Sequence, residues 1–284
     1  MTSASDFHHP VHALPYPDRN AAPCLSGEIS REVLLLLSFL TMVTIMELEG
    51  SEMDLSKYEA ILFDLDGTLL DYRGAQRHAA ERLVRIMELD GSATSMERLI
   101  SFLEGRVIQD LEACKPSAIE PGSREMRQAF SRSGFNVDPI EFIEVYFEGM
   151  EEHGRPLPGI EDMLGRLGAH RTVGVVTNGP GTVQRKRLRL SGLMQYLDLL
   201  VISCEAGHAK PDPEILRYAM KLAGSATFST LFVGDSAGSD MGAANAAGVD
   251  FVFVQPDGDF SSPGPRILEL RRTVELLEYI QTPD

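Results

Sequence analysis

Short apolar runs alternate with amphipathic segments along most of this chain. The apolar runs are Ala60–Phe63, Thr172–Val176, Leu199–Ser203, Thr230–Val233 and Phe251–Val254. The amphipathic segments are Ile160–Leu167, Val183–Leu190, Pro213–Leu222 and Ser239–Ala247, followed by a last one at Ile267–Ile280. The apolar runs are typical of strands buried on both faces of a sheet. Their alternation with helices predicts right-handed βαβ units and an α/β fold with an open parallel sheet, closed by a helix at Ile267–Ile280.

One long stretch interrupts the alternation. Residues 74–155 contain no strand-like run, and apolar residues recur there at helical spacing, as in Ala79, Leu83 and Ile86. We therefore predict a helical insertion at 74–155 in a core formed by residues 57–73 and 156–284. Helices on both faces of the parallel sheet would make this core a three-layer, Rossmann-like arrangement.

The first 56 residues differ from the rest of the chain. Four prolines and no helical period occur before residue 30, which predicts a disordered tail. The apolar run at 33–46 predicts one helix, but a helix that spans a bilayer needs about 20 residues, and acidic residues flank this run on both sides. A membrane-spanning role is therefore disfavoured. Docking of 33–46 on a membrane or a partner stays an alternative, and so does a later biological start at Met46 or Met53.

The charge balance narrows the class of partner. The 26 basic and 42 acidic residues give a formal net charge of −16. A nucleic acid polymer is disfavoured, because sequence-independent binding requires a basic surface that displaces counterions from phosphates. A small phosphorylated metabolite needs only a few local cations and a metal ion. Cys24, Cys114 and Cys204 form no metal-binding pair, which predicts free thiols and a reducing, cytoplasmic location.

The strongest chemical signal follows the first predicted strand. The segment reads Phe-Asp-Leu-Asp-Gly-Thr, with Asp64 and Asp66 two residues apart and Gly67 after them. In an extended chain, residues i and i+2 point to the same side, so the two carboxylates would repel unless a cation or a shared proton relieves them. Glycine lets the backbone approach an anion closely, and the following amides can point at phosphate oxygens.

Three more polar segments follow later strands. Thr177-Asn178-Gly179 offers neutral donors for an oxyanion, and Lys210 lies in Ala-Lys-Pro-Asp-Pro. Asp235 and Asp240 lie in Gly-Asp-Ser-Ala-Gly-Ser-Asp, where hard oxygen ligands suit Mg²⁺. Because the carboxyl ends of parallel strands face one crevice, we expect these segments to meet there.

In this order, the four segments resemble the motifs of the haloacid dehalogenase-like hydrolases, over roughly residues 57–284. The insertion resembles the helical cap of the phosphatases in that family. The resemblance implies Asp64 as the nucleophile and Asp66 as the acid and base. It also implies Thr177, Asn178 and Lys210 as phosphate ligands, with Lys210 counted among the catalytic residues.

The resemblance further implies a Mg²⁺ ion bound by Asp64, by Asp235 and by the backbone carbonyl of Asp66. Asp240 would hold a metal-bound water or orient Lys210. The expected reaction is hydrolysis of a small phosphomonoester, such as a sugar phosphate, phosphoglycolate or a nucleoside monophosphate, through an aspartyl-phosphate. Asp66 favours phosphoryl transfer over dehalogenation, since the dehalogenating relatives lack this second acid.

Several alternatives stay open. A phosphomutase would use the same motifs, and a regulatory module could have kept the fold and lost turnover. The oligomeric state is not predicted. We expect the cap to select the substrate, and the candidate contacts to its anions are Arg73, Arg77, Arg106 and Arg155. His208 is a weak catalytic candidate, and the basic run at 185–189 is interpreted as a solvated helix face.

Overall fold

A six-stranded parallel sheet forms the centre of the computed structural model, which describes residues 55–112, 122–256 and 267–280. All of these residues belong to the unit Met53–Asp284. The strands are β1 (Ala60–Phe63), β2 (Thr172–Thr177), β3 (Leu199–Ile202), β4 (Thr230–Gly234), β5 (Asp250–Val254) and β6 (Leu268–Leu270). Their order across the sheet is β3-β2-β1-β4-β5-β6. The strand that carries the Asp-x-Asp motif is therefore central.

Helices cover both faces of the sheet because successive side chains of a strand point in opposite directions. Ile61 and Phe63 pack on one face, against α6 (Ile160–Gly168) and α7 (Gly181–Ser191). Leu62 packs on the other face, against α8 (Glu214–Ala223) and α9 (Gly242–Ala247). The predicted three-layer α/β architecture is confirmed.

A separate group of helices lies between β1 and β2 in the chain. They are α1 (Tyr72–Ile86), α2 (Ala93–Leu103), α3 (Arg106–Glu112), α4 (Arg124–Ser133) and α5 (Pro139–Glu151). This cap has a hydrophobic core of its own, in which the ring of Phe130 meets those of Phe102 and Phe142 edge to face at 4.8 Å. A Cβ at Gly149 would lie 2.6 Å from the Ala79 backbone, so glycine there lets α1 and α5 pack closely.

Short helical segments complete the described chain. Single turns of 3₁₀ helix occupy Leu55–Lys57, Leu193–Tyr196 and Thr227–Ser229, and a longer one occupies Thr273–Tyr279. A helical turn at Ser203–Ala206 follows β3, and a π-helical turn at Ala237–Met241 leads into α9.

The prediction of a terminal helix at Ile267–Ile280 is wrong. Leu268–Leu270 forms β6, which pairs with β5 in parallel register, and a 3₁₀ helix follows it. Thr273 Oγ1 donates to the Thr68 carbonyl at 2.6 Å, which anchors this 3₁₀ segment to the loop after β1. The open edge of β5 offers backbone hydrogen bonds that outweigh the weak local preference for a helix.

One of the three cysteines departs from the sequence-based prediction. Cys204, just after β3, is disulfide-bonded, so the prediction of free thiols is wrong at this position. Sequence spacing carries no information about which distant cysteines meet in space.

Among the residues with described structure, no helix has the length and apolar character needed to cross a bilayer. The predicted tail at 1–56, including the apolar run at 33–46, lies almost entirely outside those residues.

Candidate active site

Four loops meet at the carboxyl ends of the central strands, around a buried lysine. Lys210 Nζ lies 2.5 Å from Asp64 Oδ1 and 2.7 Å from Asp240 Oδ1. Burial acts to lower the pKa of Lys210, but the carboxylates of Asp240 and Asp64 outweigh it and raise that pKa. The lysine is therefore a fixed cation between two loops that are distant in the chain.

Three carboxylates crowd this end of the sheet. One oxygen from each of Asp64, Asp235 and Asp240 lies within 4.8 Å of the others. Burial raises the pKa of both Asp64 and Asp235, and the neighbouring carboxylates raise it further, against the opposing effect of Lys210. One ammonium against three carboxylates leaves excess negative charge, and the donors are hard oxygens. This donor set fits a divalent cation such as Mg²⁺.

Gly67 allows the loop after β1 to approach Asp235. Its φ of +84° is a left-handed conformation that favours glycine, and a Cβ there would lie 2.0 Å from Asp235 Oδ2. The glycine of the Asp-x-Asp-Gly segment is thus required both by its backbone conformation and by the space that Asp235 occupies. The chain then enters the cap through α1, whose first turn is capped by the Asp71 side chain.

Asp66 has two partners on α7. Its carboxylate lies 2.6 Å from Arg187 Nη1 and accepts a hydrogen bond from Gln184 Nε2 at 2.9 Å. Arg187 is 1% exposed and also donates to the His153 carbonyl and to Gln184 Oε1. The Asp66 side chain is 20% exposed. Arg187 and Gln184 therefore hold the Asp66 carboxylate in one position at the edge of the cleft.

The last residue of β2 and the residue that follows it connect the motifs to one another. Thr177 Oγ1 accepts a hydrogen bond from Gln184 and is itself buried. The Asn178 side chain donates to the Lys210 carbonyl at 3.0 Å and accepts from the Lys210 N–H at 2.9 Å. Asn178 thus holds the Lys210 loop in place, a contact that its residue type alone did not suggest. Its role as a phosphate ligand stays a prediction.

The cleft extends from these loops to the cap, with a volume of about 800 Å³. Asp64, Asp66, Thr177, Asn178, Lys210 and Asp235 line its core side. Tyr72, Gln109, Glu112, Phe147 and Met150 line its cap side. The structure thus places every residue of the predicted site on one cavity, apart from Asp240, which lies behind Lys210.

The expected cap arginines are not part of this cavity. None of Arg73, Arg77, Arg106 and Arg155 lines the cleft as described, and Arg106 is exposed beside Asp110. The expectation that they contact the substrate is not supported. His208 also lies outside the cleft, where its exposed ring forms a hydrogen bond with the Asp212 carboxylate.

Sequence reasoning missed Arg187 and Glu112. Arg187 belongs to the basic run that we interpret as a solvated helix face, yet the buried residues of α7 are Val183, Gln184, Arg187, Leu188 and Ser191, and the last four lie at i, i+3, i+4 and i+7. This helical period was a usable signal that Arg187 faces inward. Glu112 gave no comparable signal, since its place in the cleft depends on how α3 packs.

Comparisons with known proteins agree with this geometry. A family model described as haloacid dehalogenase-like hydrolase matches residues 61–254. Pyrimidine 5′-nucleotidase YjjG of Escherichia coli is 34% identical over 67% of this chain and 83% of its own length. A plasmid-borne phosphoglycolate phosphatase of Cupriavidus necator is 32% identical over 78% of this chain and 90% of its own.

A solved structure has the same arrangement of elements. The putative hydrolase YfnB of Bacillus subtilis, in a crystal form bound to magnesium, superposes with a TM-score of 0.68 at 26% identity. The match covers 78% of this chain and 97% of that one. With the family model matched across both the core and the cap, this chain belongs to the haloacid dehalogenase-like hydrolases.

Proposed function

We propose that this chain is a Mg²⁺-dependent phosphatase that hydrolyses a small phosphomonoester through an aspartyl-phosphate. The observation that carries the proposal is the pairing of Asp64 with Lys210 on a cleft that also holds Asp66 and Asp235. The relatives named above, which act on a pyrimidine nucleotide and on phosphoglycolate, support a small phosphorylated metabolite as the partner.

We assign Asp64 the role of the nucleophile. One of its oxygens would attack phosphorus while the bond from phosphorus to the leaving oxygen breaks, which splits one difficult displacement into two steps. Lys210 would neutralise charge on Asp64 and on the transferring oxygens, and it needs no reorganisation because two carboxylates already hold it. Thr177 and Asn178 stay the proposed ligands of those oxygens.

We assign Asp66 the role of the general acid and base. It would give its proton to the leaving alcohol in the first step and accept one from water in the second, so that Asp64 and phosphate are released. Its contacts with Arg187 and Gln184 hold the carboxylate on the wall of the cleft that it shares with the cap residues. We propose that the leaving group lies between this carboxylate and the cap.

The metal would be held by the carboxylates of Asp64 and Asp235 and by the Asp66 backbone carbonyl. Both oxygens of Asp240 already accept hydrogen bonds, from Lys210 and from the Ser236 N–H, so we assign it the role of orienting the lysine. When bound, Mg²⁺ would neutralise charge on the phosphate and on Asp64.

The test is phosphate release from a panel of phosphomonoesters with and without Mg²⁺. Asp64→Asn is expected to lose roughly a thousandfold or more in kcat, as covalent nucleophiles do when removed. Asp162→Asn, an exposed change on α6, is the matched control and should retain activity. Turnover by Asp64→Asn at the control rate would refute the assignment of the nucleophile. An isomerised sugar phosphate in place of free phosphate would identify a mutase.

A further inference from the structure

Among the described residues, the cap side of the cleft carries one carboxylate, that of Glu112 at the end of α3. Its Oε1 accepts a hydrogen bond from Tyr146 Oη at 2.5 Å, and its Oε2 accepts one from Tyr72 Oη at 3.0 Å. A carboxylate oxygen has two acceptor sites, so each of these oxygens keeps one for a further donor. The two tyrosines therefore hold Glu112 as a preset hydrogen-bond acceptor that lines the cavity.

Glu112 lines the part of the cleft that is open to a leaving group on the cap side. With phosphorus at Asp64, a phosphomonoester that extends toward the cap shares this part of the cleft with Glu112. Phe147 and Met150 line the same side and offer apolar surface to a ring. Burial raises the pKa of Glu112 to about 7, although the hydrogen bonds from Tyr146 and Tyr72 act to lower it.

The charges of the cleft disfavour a second anion on the substrate. Its described lining contains the carboxylates of Asp64, Asp66, Glu112 and Asp235, with Lys210 and Arg187 as the cations. Both cations already have carboxylate partners, since Lys210 pairs with Asp64 and Arg187 pairs with Asp66. Although Nη2 of Arg187 has no hydrogen-bond partner, the described lining carries two more carboxylates than cations, so a carboxylate on the leaving group would meet Glu112 and Asp66 in a cleft with excess negative charge.

From this arrangement, and on the basis of the proposed phosphatase function, we infer that Glu112 is a specificity-determining residue. It accepts a hydrogen bond from a hydroxyl or N–H on an uncharged leaving group. The substrate class is thus a phosphomonoester of a sugar or a nucleoside, rather than one whose leaving group carries a carboxylate.

The experiment compares kcat/KM of the wild type, Glu112→Gln and the exposed control Glu144→Gln on four substrates. Uridine monophosphate and glucose phosphate carry donors and distinguish a nucleoside from a sugar. Phosphoglycolate carries a second anion, and phenyl phosphate carries neither feature. The wild type is expected to prefer one or both donor-bearing esters over phosphoglycolate.

Glu112→Gln removes a charged acceptor and keeps the shape of the side chain. It should lower kcat/KM for the preferred donor-bearing ester about tenfold, and by at least several times more than for phenyl phosphate. Phosphoglycolate should gain relative to the others, and Glu144→Gln should match the wild type on all four. A wild-type preference for phosphoglycolate, or an equal loss on all four substrates, would overturn the inference.

A second measurement covers the case in which Glu112→Gln does not fold. Uridine or glucose should inhibit hydrolysis of phenyl phosphate by the wild type more strongly than glycolate does, and the reverse order would overturn the inference. Absence of Mg²⁺-dependent hydrolysis on all four substrates would instead refute the proposed function, so the two failures are distinguishable.

Discussion

Replacing Arg187 with methionine removes the cation that holds the Asp66 carboxylate. The guanidinium is 1% exposed, lies 2.6 Å from Asp66 Oδ1, and also donates to Gln184 Oε1 and to the His153 carbonyl. Methionine fills much of the same volume but satisfies none of these acceptors. Arg187→Met therefore tests whether Asp66 needs its partner on α7.

The cost to stability follows from the burial of the pair. Breaking a buried ion pair by removing one partner costs about 3–5 kcal/mol. Because the Asp66 side chain is 20% exposed, water can replace part of the lost contact, which places the expected cost at about 3 kcal/mol. For a unit of this size, that cost lowers Tm by about 6–12 °C, measurable by calorimetry.

The effect on activity should depend on the leaving group. An acid that protonates the leaving oxygen contributes about 10²–10⁴-fold, and Gln184 still holds Asp66 in the variant, so we expect kcat/KM for ribose phosphate to fall about 10- to 100-fold. The comparison uses kcat/KM because it reports formation of the aspartyl-phosphate, whereas kcat also includes its hydrolysis, in which Asp66 acts as the base for every substrate. A p-nitrophenolate leaving group needs no proton, so the loss of kcat/KM on p-nitrophenyl phosphate should be much smaller. Loss of packing alone would lower both rates equally.

Arg189→Met is the matched control, since Arg189 is exposed on the same helix. It should change stability by less than about 0.5 kcal/mol and leave both rates unchanged. The reasoning is refuted if Arg187→Met keeps the wild-type rate on ribose phosphate, or loses the same factor on both substrates.

Two further predictions concern the metal site. Because burial raises the folded-state pKa of Asp64 and Asp235 above the unfolded value of 3.8, the metal-free protein should lose stability as pH rises from about 4 through neutrality. Binding of Mg²⁺ should reverse this loss, so the increase in Tm that Mg²⁺ produces should be larger at about pH 7.5 than at about pH 5. An equal increase at both pH values would contradict a metal site at Asp64 and Asp235. Gly67→Ala forces a Cβ into contact with Asp235, whereas Gly192→Ala, with a similar positive φ and no neighbour within 4 Å, tests backbone strain alone. Gly192→Ala should cost about 1–2 kcal/mol in chemical denaturation, and Gly67→Ala should cost more because it adds the contact with Asp235 to the same strain. Only Gly67→Ala should weaken Mg²⁺ binding by calorimetry, and equal affinities would refute this role.

Local patterns were sufficient for the core of the fold. The run at Ala60–Phe63 is a strand because four consecutive apolar residues can be buried only where both faces of a sheet are covered. The same reasoning located the strands before Thr177 and Asp235. Once the sheet is parallel, topology alone brings the residues after these strands to one edge.

Long-range contacts determine the structure of the segments for which the sequence-based predictions are wrong. Leu268–Leu270 is a strand because it pairs with the otherwise open edge of β5. The residues of this segment carry no local signal that such an edge lies beside them. The disulfide at Cys204 depends in the same way on a meeting of distant residues.

The sequence by itself thus determined the chemistry that follows each strand, from Asp64 and Asp66 to Lys210 and Asp235, since strand ends are local features. Only the tertiary structure decided which side chains position and surround that chemistry. Arg187 meets Asp66 across 120 intervening positions by packing of α7 on the sheet, and Glu112 reaches the cleft by packing of the cap. Such contacts depend on the relative placement of whole elements, which local periodicity does not encode.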